Sequence, residues 1–503
     1  MNAMPKQFSF SLISPTNSPN DWKQDVDAEK DSALERVLIH LQQDDLRLRQ
    51  LFDTKVLPYM TMTALMLGIK SVAIVQADLF GLTESMGFST TQSSCLHTAP
   101  HLPQILLQLP VAWILLDSIF PLDKFLGACL VLIGCRQIIL PDLSFTGAVL
   151  TGLLQGVFEV VFVPALVWMT WVYWTREEMP TRLSWWYSMI GFGNLTMSVI
   201  TYFLVERDAT IRPDVVILCC SCFVFCVYMF ITCIFCGESP LTLKFLSDRE
   251  EKVAWAVQRL TAPRNISWSD AAFEEAKKDV RTWLWFGLTF ISSLLIAGSA
   301  SISQRFLISL ATDSSRALSN LPFGAIQFIA AFCGGLATTK LRFGTVLIAL
   351  SCISSTGLLI LHRALQQPVS STNFVLAGHY LAASVHASVP IVYSWSGVNT
   401  AGATQKKATL AFMSMGYALG HVCGPFMLMP SSNPQSSSAM IWAMLSLHVL
   451  FIILVFILMN HFNKMNRRHG GSVKAEQIIG NYDPRLYMTI DFDLQQQKLS
   501  NLA

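Results

Sequence analysis

The chain has 503 residues, of which 52% are hydrophobic and 14% are charged, and its mean hydropathy is +0.46. Soluble globular proteins carry about 25% charged residues, so this composition predicts an integral membrane protein and excludes an ordinary soluble one. The formal net charge of only +2 excludes nucleic acid as a partner, because such partners require clustered basic faces.

The first 55 residues are rich in Ser, Pro and charged side chains, and they lack the short apolar core of a signal peptide. We therefore expect residues 1–55 to form a cytoplasmic tail, disordered at first. An amphipathic helix over 28–51 would then lead to the membrane.

Apolar stretches of a length suited to the bilayer follow in two groups of six. They are numbered below as the first to the twelfth span, and they lie at roughly 56–76, 92–116, 122–140, 145–174, 183–204, 214–236, 283–309, 317–338, 343–362, 373–397, 407–428 and 438–461. The predicted domains are an N-terminal bundle at 56–236, a cytoplasmic linker at 237–282, a C-terminal bundle at 283–461 and a cytoplasmic tail at 462–503. The predicted fold is an all-α membrane protein of two pseudo-symmetric six-helix bundles, an arrangement typical of secondary transporters.

The distribution of basic residues gives the orientation. With the N-terminus inside, 28 of the 35 Lys and Arg residues fall on the inner side. Five are assigned to outer loops, namely Arg136, Arg207, Arg212, Arg316 and Arg363. Because Lys and Arg accumulate on the cytoplasmic side, both termini are predicted to be cytoplasmic.

Glu159 is the only charged residue between Phe145 and Trp174. A carboxylate inside a membrane costs at least a few kcal/mol, so it must face protein or a water-filled cavity. Lys70 lies 14 residues into the first span, about 21 Å from the inner surface, and Glu159 lies at a matching depth in the antiparallel fourth span. We expect the two to face one another, either as an anion and proton switch or as a static pair that fixes helix packing.

Other polar residues in the spans are candidates for substrate binding or proton coupling. Gln155 lies one turn from Glu159 on the same helix face. His386 is in the middle of the tenth span and is either a proton carrier or a packing residue. Tyr393, Trp395 and Asn399 follow toward its inner end, where aromatic rings stack on a planar substrate or merely pack. Arg305 near the outer surface either attracts anions or snorkels.

No metal site or cofactor is expected. Six of the 12 cysteines crowd residues 219–236, but no His or carboxylate converges there, and sulfur behaves as a small hydrophobe in such a helix. His97 and His101 have a metal-binding spacing without a third ligand, so packing or polar contacts are expected for them. No phosphate-binding Gly-rich loop occurs, which excludes ATP as the energy source.

Several motifs occur in a recognisable order. They are Gly156-Val-Phe-Glu159 with Pro164, Trp174-Thr-Arg176 with Glu178 and Arg182, Ser239-Pro-Leu-Thr-Leu-Lys-Phe-Leu246, and Ser394-Trp-Ser-Gly-Val-Asn399 through Gly402 and Thr404 to Lys407, with Gly424-Pro425 downstream. Over about 50–465 the chain resembles the fungal anion:cation symporter (allantoate permease) family of the major facilitator superfamily. Candidate gating or loop residues are Arg176, Glu178, Arg182, Lys340, Arg342, Lys406 and Lys407.

The chain also departs from that family. Lys70-Ser71 stands where the family usually carries Asp-Arg, and Gly152 stands where its fourth helix carries Arg. The loop between the second and third spans holds Asp117, Asp123 and Lys124 in place of a basic latch. These differences indicate a divergent member.

The resemblance implies a proton-coupled secondary transporter of a small organic anion or amide-bearing acid in a fungal plasma membrane, acting as a monomer without cofactors. Its expected partners are the substrate, protons and the lipid bilayer. Efflux of a fungal secondary metabolite by the same fold is one alternative, and a non-transporting membrane sensor is another. An enzyme is not expected, because no nucleophile, base and oxyanion set converges on the bilayer centre.

Overall fold

The computed structural model describes residues 45–79, 82–114, 122–207, 268–310, 313–366, 372–400, 402–427 and 434–468. These residues form helices joined by short turns, with no strand among them. The predicted sixth span with its cysteines, the motif at 239–246, Asp117 and most of the linker lie outside the described residues, as do the side chains of Asp123, Lys124 and Arg305.

The helices of the N-terminal half continue directly from a helical segment at residues 45–55. They are Leu57–Leu79, Leu82–Ser85, Thr90–Thr98, His101–Ile114, Leu122–Ile139, Phe145–Glu159, Phe162–Tyr173 and Met179–Arg207, with a short 3-10 helix at Leu140–Asp142. Helix Asp270–Lys278 ends the linker.

The helices of the C-terminal half follow the linker helix after a single residue, Asp279. They are Val280–Leu310, Asp313–Ala337, Phe343–Gln366, Thr372–Ala382, Ser388–Asn399, Ala403–Met427 and Pro434–Arg468, with a 3-10 helix at Ala383–Ala387.

Seven helical stretches among the described residues are long and apolar enough to cross a membrane. They include Asp45–Asp78 and Phe145–Tyr173 in the first half and Ser438–Met465 at the end of the second. The second, third, fifth and eleventh predicted spans are also helical where described, although they do not meet the same combination of length, hydropathy and charge.

The fourth span, expected as one continuous helix, is two helices separated at Val160 and Val161. Pro164 has no N–H to donate to the carbonyl of Val160, so the helix cannot continue its hydrogen bonds here. The side chain of Gln108 donates to that carbonyl at 3.4 Å instead. Glu159 therefore ends the first of the two helices, beside the break.

The tenth span shows a corresponding irregularity, since a 3-10 segment at Ala383–Ala387 separates its two helices. Pro390 follows, and its missing N–H leaves the carbonyl of His386 without the usual helical donor. The fourth and tenth spans hold equivalent positions in the two halves. Interrupted helices at equivalent positions are typical of transporter binding sites.

The second span is also divided, at the turn Ala99-Pro100, and this turn contacts the fourth span. A Cβ at Gly156 would collide with the carbonyl oxygen of Pro100, so only glycine permits this approach. The contact places the start of helix His101–Ile114 beside Glu159.

The two halves meet through buried amides of the fifth and eighth spans. Asn194 Nδ2 donates to Gln327 Oε1 at 3.0 Å, and Asn320 Nδ2 donates to Asn194 Oδ1 at 3.4 Å. Gln76 of the first span reaches Ser198 nearby at 3.1 Å. Side-chain amides of this kind hold membrane helices together, since apolar surfaces gain little by leaving lipid.

Candidate functional site

Lys70 and Glu159 lie in contact, with Nζ 2.5 Å from Oε1. Their side chains are 12% and 8% exposed, so both charges are largely removed from solvent. The pair joins the first span to the broken fourth span. Gln137 of the third span donates to the backbone carbonyl of Lys70 at 3.2 Å and ties a third helix to the pair.

Gln155 extends this contact toward a second cation. Its Nε2 donates to Glu159 Oε1, and its Oε1 accepts from Arg136 Nη1 at 2.5 Å. Gln155 thus relays between the carboxylate and a guanidinium, as its position one turn before Glu159 allows.

Arg136 is not in an outer loop, so that expectation was wrong. Arg136 lies in the last turn of helix Leu122–Ile139. Its side chain points into the bundle, and only 6% of the residue is exposed. Its Nη2 also donates to the carbonyl of Ala148 at 3.4 Å. A Cβ at Gly152 would lie 3.4 Å from this Nη2. The Arg136 guanidinium therefore lies beside the position at which the family that this chain resembles carries an arginine.

Among the described residues, the resulting cluster holds two cations, Lys70 and Arg136, and one carboxylate, Glu159. Arg136 Nε is buried and has no hydrogen-bond partner within the described part of the chain. An unpaired buried donor costs free energy, and an anion would satisfy both this donor and the excess positive charge. The arrangement therefore suits an anionic ligand.

The second span supplies a further amide and an imidazole. Gln104 Nε2 donates to Glu159 Oε2 at 3.4 Å, and Gln104 Oε1 lies 3.5 Å from His101 Nδ1. The His101 ring contacts His421 of the eleventh span, with centroids 4.9 Å apart. Sequence reasoning missed Gln104 and His421, because no local pattern predicts which residues of different spans meet.

His97 faces a different partner from His101. Its Nε2 is 3.4 Å from Asp78 Oδ2. Among the described residues no group of three or more His, Cys, Asp or Glu side chains is arranged to hold a metal.

His386 lies in the 3-10 segment, where its Nδ1 donates to the carbonyl of Ala383 at 3.0 Å. Its ring meets Phe323 edge-on at 5.7 Å and lies within electrostatic range of His421. The described contacts do not join it to Lys70 or Glu159.

Tyr393, Trp395 and Asn399 lie in the packed core and not beside the cluster. Tyr393 and Trp395 are fully buried, and the Trp395 ring stacks on Phe343 with centroids 6.1 Å apart. Asn399 Nδ2 donates to the carbonyl of Trp395 at 2.8 Å. These contacts give the three residues packing partners, and the structure does not bring them to Lys70.

The loop between the fourth and fifth spans binds the helix that precedes the first span. Arg182 Nη2 and Trp174 Nε1 each lie 2.8 Å from a carboxylate oxygen of Asp53. Arg49 Nε is 3.3 Å from Glu178 Oε1. Asp53 and Arg49 were missed, because they fall in the segment that was expected to be a tail.

The basic candidates of the C-terminal half divide into two kinds. Lys340 and Arg342 are exposed on the turn between helices Asp313–Ala337 and Phe343–Gln366. Lys406 and Lys407 are buried in the first turn of helix Ala403–Met427, before its apolar stretch. Lys407 Nζ lies 5.5 Å from the Trp168 ring centroid and so joins the two halves. Burial, then the charge of Arg176, lowers the pKa of Lys406 to about 7.

Residues 59–425 match the Major Facilitator Superfamily. The chain is 23% identical over 441 residues to the allantoate permease of Saccharomyces cerevisiae, covering 85% of this chain and 81% of that protein. It is 21% identical over 454 residues to the MFS-type transporter cnsL of Penicillium expansum, with coverages of 86% and 84%.

Two solved structures share the architecture. One is the proton:xylose symporter XylE bound to 6-bromo-6-deoxy-D-glucose, with a TM-score of 0.58 and 14% identity over 81% of this chain and 96% of that one. The other is FucP in the outward conformation, with a TM-score of 0.52 and 13% identity over 80% and 99%. At these identities they support the fold alone.

Proposed function

Because the chain belongs to the major facilitator superfamily and is thus a multi-pass membrane transporter, we propose that it is a secondary active transporter that couples a small organic anion to protons. The observation that carries this proposal is the buried cluster of Lys70, Arg136 and Glu159 bridged by Gln155.

The cluster supports coupling because its charges compete. Without substrate, Glu159 is the partner of Lys70. An anionic substrate takes that place on Lys70 and gains Arg136 as a second cation. Glu159 then has no cation of its own, and a buried carboxylate without one is favoured in its protonated form. Binding of the anion thereby promotes uptake of one proton.

The substrate class follows from the groups that line the cluster. Lys70 and Arg136 favour a carboxylate, while the amides of Gln104 and Gln155 suit a substrate that also carries amide groups. The relative named allantoate permease makes allantoate the first probe, followed by other small carboxylates.

Efflux of a secondary metabolite is the second candidate function. It is supported by the unusual composition of the cluster, in which Lys70 and Arg136 supply the cations and Gly152 supplies none. The same switch would run in the opposite direction.

We also propose that the protein acts as a monomer in a fungal plasma membrane with both termini in the cytoplasm. The excess of Lys and Arg on one side of the predicted spans supports this orientation. Protease accessibility of terminal tags in intact and permeabilised cells tests it.

Purified full-length protein in proteoliposomes tests the function. Labelled allantoate and a panel of small carboxylates would be offered with and without an acid-outside pH gradient. At least one anion is expected to accumulate only with the gradient, and the charge-neutralising variants Lys70→Met and Glu159→Gln are expected to abolish accumulation. Lys340→Gln, on an exposed turn, is the matched control. Gradient-dependent uptake that survives both cluster variants would overturn the proposed switch, and absence of any flux would favour a sensor.

A further inference from the structure

A continuous chain of polar groups links Glu159 to the other half of the molecule. Glu159 Oε2 accepts from Gln104 Nε2 at 3.4 Å, and the opposite end of the same amide lies 3.5 Å from His101 Nδ1. The His101 ring then meets His421 across the junction of the two halves. The second and eleventh spans, which carry these imidazoles, pack closely.

The orientation of the Gln104 amide links the state of Glu159 to that of His101. The amide has a donor on one side and an acceptor on the other, so its orientation is fixed by what its neighbour offers. An ionised Glu159 only accepts and therefore holds the Gln104 NH2 group toward itself. The Gln104 oxygen then faces His101, which must present an N–H at Nδ1. A neutral imidazole in that form has a bare lone pair at Nε2.

The hydrogen bonding of His421 depends on which tautomer His101 adopts. The Nδ1 of His421 donates to the carbonyl of Tyr417 at 3.1 Å, which leaves Nε2 as an acceptor. While Glu159 is ionised, each of the two histidines therefore keeps an acceptor at Nε2, and neither ring has a donor for the other. No hydrogen bond between the two rings is found among the described residues, although the rings are in contact.

We infer that protonation of Glu159 reverses the Gln104 amide, switches His101 to its Nε2–H form and creates a hydrogen bond from His101 to His421 that closes the two halves together. This inference rests on the proposed proton coupling. It assigns Gln104, His101 and His421 as positioning residues that couple the protonation of Glu159 to conformation. The proton bound by Glu159 becomes a donor toward Gln104 Oε1, and the Gln104 NH2 then faces His101 Nδ1. His101 gives its Nδ1 proton to water and takes one at Nε2 from water, so the ring stays neutral and the net change is the one proton gained by Glu159.

The charges around His101 and His421 favour the neutral form of both imidazoles. Lys70 of the first span lies within electrostatic range of both rings. His97 of the second span and His386 of the tenth are the other titratable neighbours. The Tyr417 ring contacts His421 in a tilted arrangement, with centroids 4.4 Å apart, and Tyr417 shares a hydrogen bond with Tyr187 of the fifth span. Glu159 contacts these titratable residues through the amide of Gln104.

Nitrogen NMR of the purified full-length protein, labelled at its ten histidines, tests the switch without any substrate. The His101 signals are those absent from His101→Asn. They are expected to show the Nδ1–H form in the wild type at alkaline pH and the Nε2–H form in Glu159→Gln, whose amide donates to Gln104 as the protonated acid would. Acidifying the wild type is expected to give the same change, which guards against misfolding of the variant.

Hydrogen exchange of the second and eleventh spans supplies the conformational half of the test. Exchange is expected to fall about fivefold in Glu159→Gln, the factor for one added hydrogen bond, and the fall is expected to vanish with Gln104→Met or His421→Phe. His448→Gln is the matched control, because His448 is also buried but binds Ser351 and Ser354 within one half.

An unchanged His101 tautomer, or an exchange effect that survives Gln104→Met, would overturn the inference. Neither result depends on transport. Failure of the relay and failure of the proposed function are therefore separable.

Discussion

Lys70 and Glu159 show how strongly one residue depends on another inside a membrane protein. Both are largely buried, so removing one partner leaves a buried charge without compensation. Lys70→Met is expected to lower the free energy of unfolding by about 3–5 kcal/mol, whereas Lys70→Met combined with Glu159→Gln is expected to recover most of that loss. Chemical denaturation of the wild type, the two single variants and the double variant measures the interaction free energy between Lys70 and Glu159. A double variant as unstable as the sum of the single variants would contradict the account.

Arg136 gives a prediction for anion binding. Arg136→Gln removes the guanidinium that pairs with Gln155 and one of the two cations of the cluster. The KM for the transported anion is expected to rise by about tenfold or more, the usual effect of losing a charge-assisted hydrogen bond. Uptake kinetics measure it. Arg136→Lys, which keeps the charge, is the control, and an unchanged KM in Arg136→Gln would exclude Arg136 from the site.

The sequence predicted the contact between Lys70 and Glu159 for a simple reason. The rise per residue of a helix converts chain position into depth, and antiparallel spans place equal depths side by side. Arg136 was assigned to the wrong place because basic residues near span ends usually belong to loops. Its inward direction depends on the space beside Gly152, which only the packed structure reveals.

Among the elements, the broken fourth helix positions the cluster. Pro164→Ala would supply an N–H for the carbonyl of Val160 and permit a continuous helix, since proline costs about 3 kcal/mol in a helix interior. The variant is expected to fold at least as stably as the wild type and to lose most uptake, because Glu159 would no longer end a helix. Size-exclusion chromatography and proteoliposome uptake measure the two effects. Full uptake would show that the break has no role in transport.

The spans were predictable as elements, and the relatives confirm the all-helical fold and the family resemblance. Hydropathy over a window reports whether a segment is apolar and not whether it is one helix or two. The turn at Ala99-Pro100 and the 3-10 segment at Ala383–Ala387 were missed for that reason. A helix leading to the membrane was predicted only as far as residue 51, and the contacts of Asp53 with Arg182 and Trp174 were missed, because those partners lie more than a hundred positions away.

For the whole molecule, the burial of Lys406 near Arg176 of the other half predicts a pH dependence of stability. Burial lowers the pKa of Lys406 from its ordinary 10.5 to about 7 in the folded protein. Between these values the unfolded chain binds more protons, so stability is expected to rise with pH across this window. Denaturation at a series of alkaline pH values measures the slope. Lys406→Met is expected to flatten it, while the same slope in both proteins would contradict a lowered pKa of Lys406 in the folded protein.

The proposed transport cycle rests on Glu159 taking a proton when an anion occupies Lys70. The most direct measurement is the internal pH of proteoliposomes, followed with an entrapped dye, when the transported anion is added outside. The wild type is expected to acidify the interior as the anion enters, whereas Glu159→Gln is expected to leave the internal pH unchanged. Equal acidification by Glu159→Gln would contradict proton coupling through this residue.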